Sequence, residues 1–391
     1  MTKITIAVLS DLHPTVSSDQ KRSHLHTDAE ENEAFHPVSG IRKLAQSSSL
    51  KVDVVVCPGD FGNRSDQASI KYGWQSIHKI KEYLCASAVI TSPGNHDHDS
   101  RGTQVDFDPK YFLQSLEPGF PFSEHDKNTH FWAWHWAESK LEKCRFIVLN
   151  TSAYHGIKEE YCHGRVAPRT VDMIADYVSR NKNPINVLVC HHHPVRNEDI
   201  LGDYESMVNG ELLLSKLDSS NSGPWLIIHG HKHFPKIFYA QGTSDSPVIF
   251  SAASFSAYLH QEISARVGNQ FHIIEIDVEK TIDEGHCHGT FKTWDWSNGI
   301  GWIAAPDEKG LPHQGGFGHR ASSTKIATEL AKLLTNQKLA QQNDIYNHYQ
   351  DLIYVTPLDL QKVKEKLRES HNIIIDITKG KITSMGISAD D

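Results

Sequence analysis

Five short clusters hold most of the residues in this sequence that could do chemistry. They are Asp11-Leu12-His13, Gly59-Asp60, Gly94-Asn95-His96-Asp97, His191-His192-His193-Pro194 and Gly230-His231-Lys232-His233. Carboxylate oxygens, an amide carbonyl and imidazole nitrogens, with no thiolate among them, suit Mn, Fe, Zn, Ni or Co. They do not suit a closed structural zinc cage. Two Asp, one Asn and four His are too many donors for one ion and about right for two. Ions roughly 3.5–4 Å apart need a carboxylate between them. Asp60 is the natural bridge, because it is the lone carboxylate of its cluster and follows a glycine that frees the turn.

Positioning elements precede each cluster. The runs 4–10, 52–57, 87–92, 145–150, 185–190, 225–230 and 247–252 are apolar, rich in β-branched residues and too short for helices. They predict buried strands. Helical patterns near 38–49, 67–84, 170–182 and 208–217 alternate with them, which predicts an α/β fold centred on sheets. All five clusters fall at the carboxyl ends of predicted strands, where open α/β sheets build their sites. Each cluster alone is a weak signal; five in this order, each after a strand, are a far stronger one.

The order D-x-H, GD, GNHD, H-x-P, GHxH resembles the calcineurin-like metallophosphoesterase superfamily, over about residues 1–280. The resemblance implies a four-layer α-β-β-α sandwich of two mixed sheets. It implies a first metal on Asp11, His13, Asp60 and His233, and a second on Asp60, Asn95, His192 and His231. With three consecutive histidines, His191 is the alternative to His192. Manganese is the expected metal, with Fe, Zn, Ni or Co as alternatives. Two divalent ions make a water between them nucleophilic at neutral pH and orient a phosphate for in-line attack. His96 would then be the general acid or would stabilise charge in the transition state. Asp97 would hold the other His96 ring nitrogen. Arg64 has the offset from Asp60 of the phosphate-binding arginine of protein Ser/Thr phosphatases, although Asn63 replaces their aspartate. A phosphate contact and a surface ion pair both remain open for Arg64. His98, Asp99, His193 and His229 are expected to be bystanders.

The expected activity is hydrolysis of a phosphoester, most naturally a small nucleotide-like phosphodiester. The alternatives are a nuclease working with an ATPase partner and a non-catalytic metal-binding scaffold. A net charge of −9 gives no general attraction to nucleic acid. No apolar run reaches membrane-spanning length, no signal-peptide pattern opens the chain, and none of the six cysteines forms a CxxC pair. A reduced, cytoplasmic setting is expected.

Three other stretches carry expectations. Residues 14–37 predict a polar loop after the first strand, either over the site or solvated. In 130–137 the alternation of Trp132, Trp134 and Trp136 predicts a strand that packs one face. Residues 306–320, rich in Gly and His without periodicity, predict a linker between a catalytic domain (1–305) and a small α+β module (321–391). That module would serve packing, homo-oligomerisation or a protein partner. Within it, Thr356, Pro357 and Asp359 mark a helix start, and Lys379-Gly380 marks a turn between two strands.

Overall fold

The computed structural model describes residues 3–19, 22–200 and 205–388. Three parallel neighbours, β1 (Lys3–Val8), β2 (Val54–Cys57) and β3 (Ala88–Thr91), open the chain. The helices Pro37–Ser48 and Gln67–Tyr83 cross back between them. A second sheet is laid down by β4 (Trp136–Leu141), β5 (Cys144–Leu149), β6 (Ile185–Val189), β7 (Trp225–His229), β8 (Lys236–Tyr239) and β9 (Val248–Ser251). The chain then returns to the first sheet through β10 (Gln270–Asp277), β11 (Gly289–Ser297), β12 (Gly301–Ala304) and β13 (Gln314–Phe317). The first sheet is ordered β12-β11-β10-β1-β2-β3 with β13 on β11, and the second β4-β5-β6-β7-β9-β8. Both are mixed, since β10 runs antiparallel to β1 while β4 and β8 run antiparallel to β5 and β9.

Side-chain alternation along the strands explains the layering. Ile4, Ile6 and Val8 of β1 face inward and meet Phe146, Val148, Val187, Val189 and Phe250 of the other sheet in one buried cluster. Ala7 and Leu9 face outward and pack with Ile41, Ile70 and Ile77 of the helices. On the far side, Ile147, Leu149 and Leu188 pack with Val171 and Ile174 of the helix Pro168–Arg180, and with Leu213 and Leu217 of the helix Gly210–Ser219. The molecule is thus a four-layer α-β-β-α sandwich with a small C-terminal appendage.

The appendage has its own core, including Ile326, Leu330, Val363, Leu367, Ile375 and Ile382. Its helices Ser323–Lys332, Gln342–His348 and Pro357–His371 pack on a sheet ordered β14-β16-β15, formed by β14 (Leu339–Gln341), β15 (Ile373–Thr378) and β16 (Lys381–Ile387). The start at Thr356 is as expected: its hydroxyl accepts the Asp359 N–H at 3.1 Å. Lys379 and Gly380, at φ 55° and 81°, form the turn between β15 and β16.

Two readings of the sequence need correction. Residues 125–134 are helical, and only Trp136 of the three tryptophans lies in a strand. The period-two pattern straddled a junction: His135 closes the helix at φ 67°, and Trp134 lies outside under the Arg169 guanidinium at 4.7 Å. The stretch 306–320 is not simply a linker, because it contains β13, whose backbone pairs with β11. Glycine-rich strands show no hydrophobic period, so pattern alone missed it. The loop 14–37, of which residues 20 and 21 lie outside the described residues, folds onto the core. Leu25 is fully buried, and the Ser23 hydroxyl donates to the Leu12 and Ser256 carbonyls.

Candidate metal centre

All five polar clusters converge at the carboxyl ends of β1, β2, β3, β6 and β7. The turns that aim them are tight. Asp11, His13, Asp60, His231 and His233 all adopt positive φ, between 44° and 78°. Non-glycine residues rarely hold this conformation, and it concentrates at functional sites. At Gly94 only hydrogen fits: a Cβ there would lie 2.1 Å from Asp60 Oδ1.

Each carboxylate offers one committed oxygen and one open one. Asp11 Oδ2 accepts the Ser10 hydroxyl at 2.5 Å and the His231 N–H at 3.2 Å. Its Oδ1, buried and without a hydrogen-bond partner, faces His233 Nε2 at 3.3 Å and His13 Nε2 at 3.8 Å. Asp60 Oδ1 accepts the His96 N–H at 2.7 Å. Its Oδ2 lies 3.6 Å from His13 Nε2 and 3.3 Å from His191 Nε2. Asn95 Oδ1 is 3.0 Å from His191 Nε2 and 3.1 Å from His231 Nδ1. Four groups of potential ligands therefore adjoin: Asp11, His13 and His233; His13, Asp60 and His96; Asp11, Asp60 and His191; and His191, His192 and His231.

The second sphere fixes which ring nitrogens point inward. His191 Nδ1 meets the Pro58 carbonyl at 2.9 Å, so Nε2 is left for the centre. His231 Nε2 meets the Glu205 carboxylate at 2.9 Å, so Nδ1 is left. Metal-bound histidines are held in just this way. His192 differs, with Nδ1 on the Thr151 hydroxyl at 2.9 Å and Nε2 buried without a partner. Glu205 and Pro58 carry no local sequence signal, since neither adjoins the residue it orients.

The charges agree with a cation site. Burial alone would raise the Asp11 and Asp60 carboxyls, yet the surrounding histidines hold both below the usual carboxylate range. Burial opposes charge on His191, but the Asp60 carboxylate outweighs it and pushes the imidazole up to about 9. Burial pushes His231 down to about 4 and His96 to about 3, so both rings are neutral near pH 7.

Asp97 does not meet the His96 ring. Its Oδ2 accepts the Asp60 and Gly94 N–H groups, both at 2.8 Å, and its Oδ1 accepts the Gly62 N–H at 2.6 Å. The sequence places Asp97 beside His96, but the turn sends its carboxylate back to pin the β2 and β3 loops together. The His96 tautomer is set instead by the Arg64 backbone N–H, which donates to Nδ1 at 3.3 Å and leaves the ring hydrogen on Nε2. The Arg64 side chain is exposed and lines a cavity of about 380 Å³ with Asn95, His96, Arg101 and Tyr161.

Among the expected bystanders, Asp99 accepts the N–H groups of Thr103, Gln104 and Val105 and shapes its own loop. The His98 ring is buried beside Asn150. His193 and His229 line a separate cavity with Lys232 and Lys236.

A fold and centre of this kind define a class of protein, and comparison with known families agrees. The model of the calcineurin-like phosphoesterase family matches residues 4–235, more than half of the chain. The chain belongs to that family, and it is a hydrolase acting on phosphoesters. A second family model, described as wHTH-Calcineurin_assc, matches residues 315–369. No curated protein matches the chain by sequence. Solved structures similar to it include a purple acid phosphatase from yellow lupin (Lupinus luteus) seeds, at 13% identity and TM-score 0.47; it covers 76% of this chain, and this chain spans 52% of it. A dimetal phosphatase of Danio rerio is similar at 12% identity and TM-score 0.42, with 77% of this chain and 98% of that one covered. A calcineurin-like phosphoesterase of Bacillus subtilis is similar at 12% and TM-score 0.40, with 94% and 99% covered.

Proposed function

We propose that the protein hydrolyses a small, nucleotide-like phosphodiester at a two-ion centre. The observation that carries the two-ion reading is Asp60 Oδ2, a single oxygen set between His13 on one side and His191 on the other. The donor set fits the ions: Asp11 Oδ1 and His13 Nε2 are buried polar atoms with no hydrogen-bond partner. Asp11, His13, Asp60 and His233 would hold the first ion. Asp60, Asn95, His191 and His231 would hold the second, with His191 in place of His192 because its Nε2 is the nitrogen aimed at Asp60 and Asn95. Mixed oxygen and nitrogen donors are compatible with manganese. When bound, such ions supply a nucleophilic water at neutral pH and neutralise the phosphate.

The chain's own residues do the rest. His96, neutral and with its hydrogen on Nε2, donates a hydrogen bond to the phosphoryl or leaving oxygen. For a ring held neutral, this role fits better than transfer of a proton. Arg64 and Arg101 stand beside it in the same cavity, where they can hold non-bridging oxygens. Tyr161, already stacked by the Arg101 guanidinium at 4.8 Å, offers a flat face to a second substituent. That pairing favours a diester with an aromatic group over a bare monoester. All six cysteines are unpaired, which supports a reduced compartment such as the cytoplasm. No helix among the described residues is long and apolar enough to cross a membrane.

The test is turnover of bis-p-nitrophenyl phosphate against p-nitrophenyl phosphate with added Mn²⁺. Preference for the diester is expected. Turnover of the monoester alone refutes the diester reading. Turnover of neither, with two ions bound, favours the nuclease or scaffold alternative.

A further inference from the structure

A second group of ligand atoms lies far from the catalytic cluster along the chain. Glu284, His286 and His288 bring a carboxylate and two imidazoles within ion-binding reach of one another. The helix Val278–Glu284 ends at Gly285, and the chain enters β11 at Gly289. In that short connection the two rings come together, with centroids 4.6 Å apart. His286 Nε2 is 3.0 Å from His288 Nε2 and 2.9 Å from the Gly318 carbonyl. Both rings are buried, while Glu284 sits at the rim with Oε2 4.0 Å from His288 Nε2.

Three donor atoms thus meet at this connection: the Nε2 atoms of His286 and His288 and the Gly318 carbonyl oxygen, which lies 2.9 Å from the first of them. A tetrahedral ion with nitrogens at roughly 2.0–2.1 Å sets its ligands about 3.3 Å apart. The two nitrogens are already close to that spacing, and the exposed Glu284 carboxylate lies 4.0 Å from one of them.

We propose that Glu284, His286 and His288 form a third metal site, for a nitrogen-seeking divalent ion such as Zn²⁺. The site lies at the joint between the catalytic sandwich and the C-terminal module. Around it the His288 ring packs edge-on against Tyr354 at 5.3 Å, Lys280 bridges Glu284 and Asp351, and the Tyr354 hydroxyl donates to Asp277 at 2.6 Å. An ion there fastens the end of the helix Val278–Glu284 to the start of β11, beside Gly318 of the segment that leads into the module. Neither Nδ1 has an orienting acceptor, unlike His191 and His231 in the catalytic centre. The third ion is therefore the weakest of the three and the first removed by a chelator.

The experiment uses the full chain, stripped by chelator, reloaded with Zn²⁺ and desalted, with ions counted by mass spectrometry. The Glu284→Gln/His286→Gln double variant should hold one ion fewer per chain than the parent, with hydrolysis of p-nitrophenyl phosphate esters unchanged. Equal ion counts overturn the proposal, as does a parallel fall in turnover. Glu284→Gln alone replaces an exposed side chain and leaves folding intact. It should weaken retention of the last ion by at least about tenfold, and an unchanged affinity would equally refute the site.

Discussion

At the scale of single residues, the proposed centre divides into atoms that would take ions and atoms that aim them. Asp60→Asn removes the shared charge and should cost both ions, read as metal content per chain. Glu205→Gln leaves every ligand in place but weakens the anchor of His231. A drop in affinity for the second ion of about 10–100-fold is expected, and unchanged affinity would show that Glu205 does not orient the ring. His96→Ala should lower kcat by about 10²–10³-fold while both ions stay bound; loss of metal would make His96 a ligand rather than a donor to substrate. The sequence made the polar clusters and their order legible, because they sit in contiguous motifs after strands. It could not separate His191 from His192, since that choice depends on which ring nitrogen the Pro58 carbonyl and the Thr151 hydroxyl occupy. Glu205 was invisible for the same reason: it is 26 residues from the ring it holds.

At the scale of elements, the turns after the strands carry the strain and the staples. Asp97 is the staple between the β2 and β3 loops. Asp97→Ala strands three backbone N–H groups, at about 1–3 kcal/mol each when buried, so a marked loss of stability in urea is expected even without metal. A shift no larger than that of an ordinary surface substitution would count against the role. Gly94→Ala drives a methyl group into Asp60 and should displace the bridging carboxylate, seen as lost metal in a folded chain. Most strands and helices were legible because their periodicity is strong and their ends carry turn residues. The two misreadings share a cause. Trp132–Trp136 and β13 are defined by a positive-φ residue and by pairing with a distant strand, and neither leaves a hydrophobic period.

At the scale of the molecule, charge links the centre to stability. In the metal-free chain the His191 imidazole titrates at about 9 in the folded state, against an ordinary 6.5. The folded state then holds a proton that the unfolded chain has released. The contribution is full below about pH 6.5 and is lost as pH rises through about 9. The melting temperature of the metal-free protein should fall across that window, and His191→Gln should flatten the fall. A metal-loaded chain should not show it, because ions replace the proton. The C-terminal module is bound closely to the sandwich: the Gln314 N–H donates to the Lys379 carbonyl, and the Lys379 N–H to Asp307. Its β15–β16 turn is thus engaged within the chain.

The proposed ligands come from both halves of the sandwich. Asp11, His13, Asp60 and Asn95 follow strands of one sheet, and His191, His231 and His233 follow strands of the other. Contacts such as His231 to Asp11 close a span of 220 residues. Once loaded, the centre is a clasp across the seam, a cross-link made without a covalent bond. Sliding one sheet past the other would have to tear out ions before it disturbed the apolar interior, so catalytic readiness and resistance to shear are one property of this molecule.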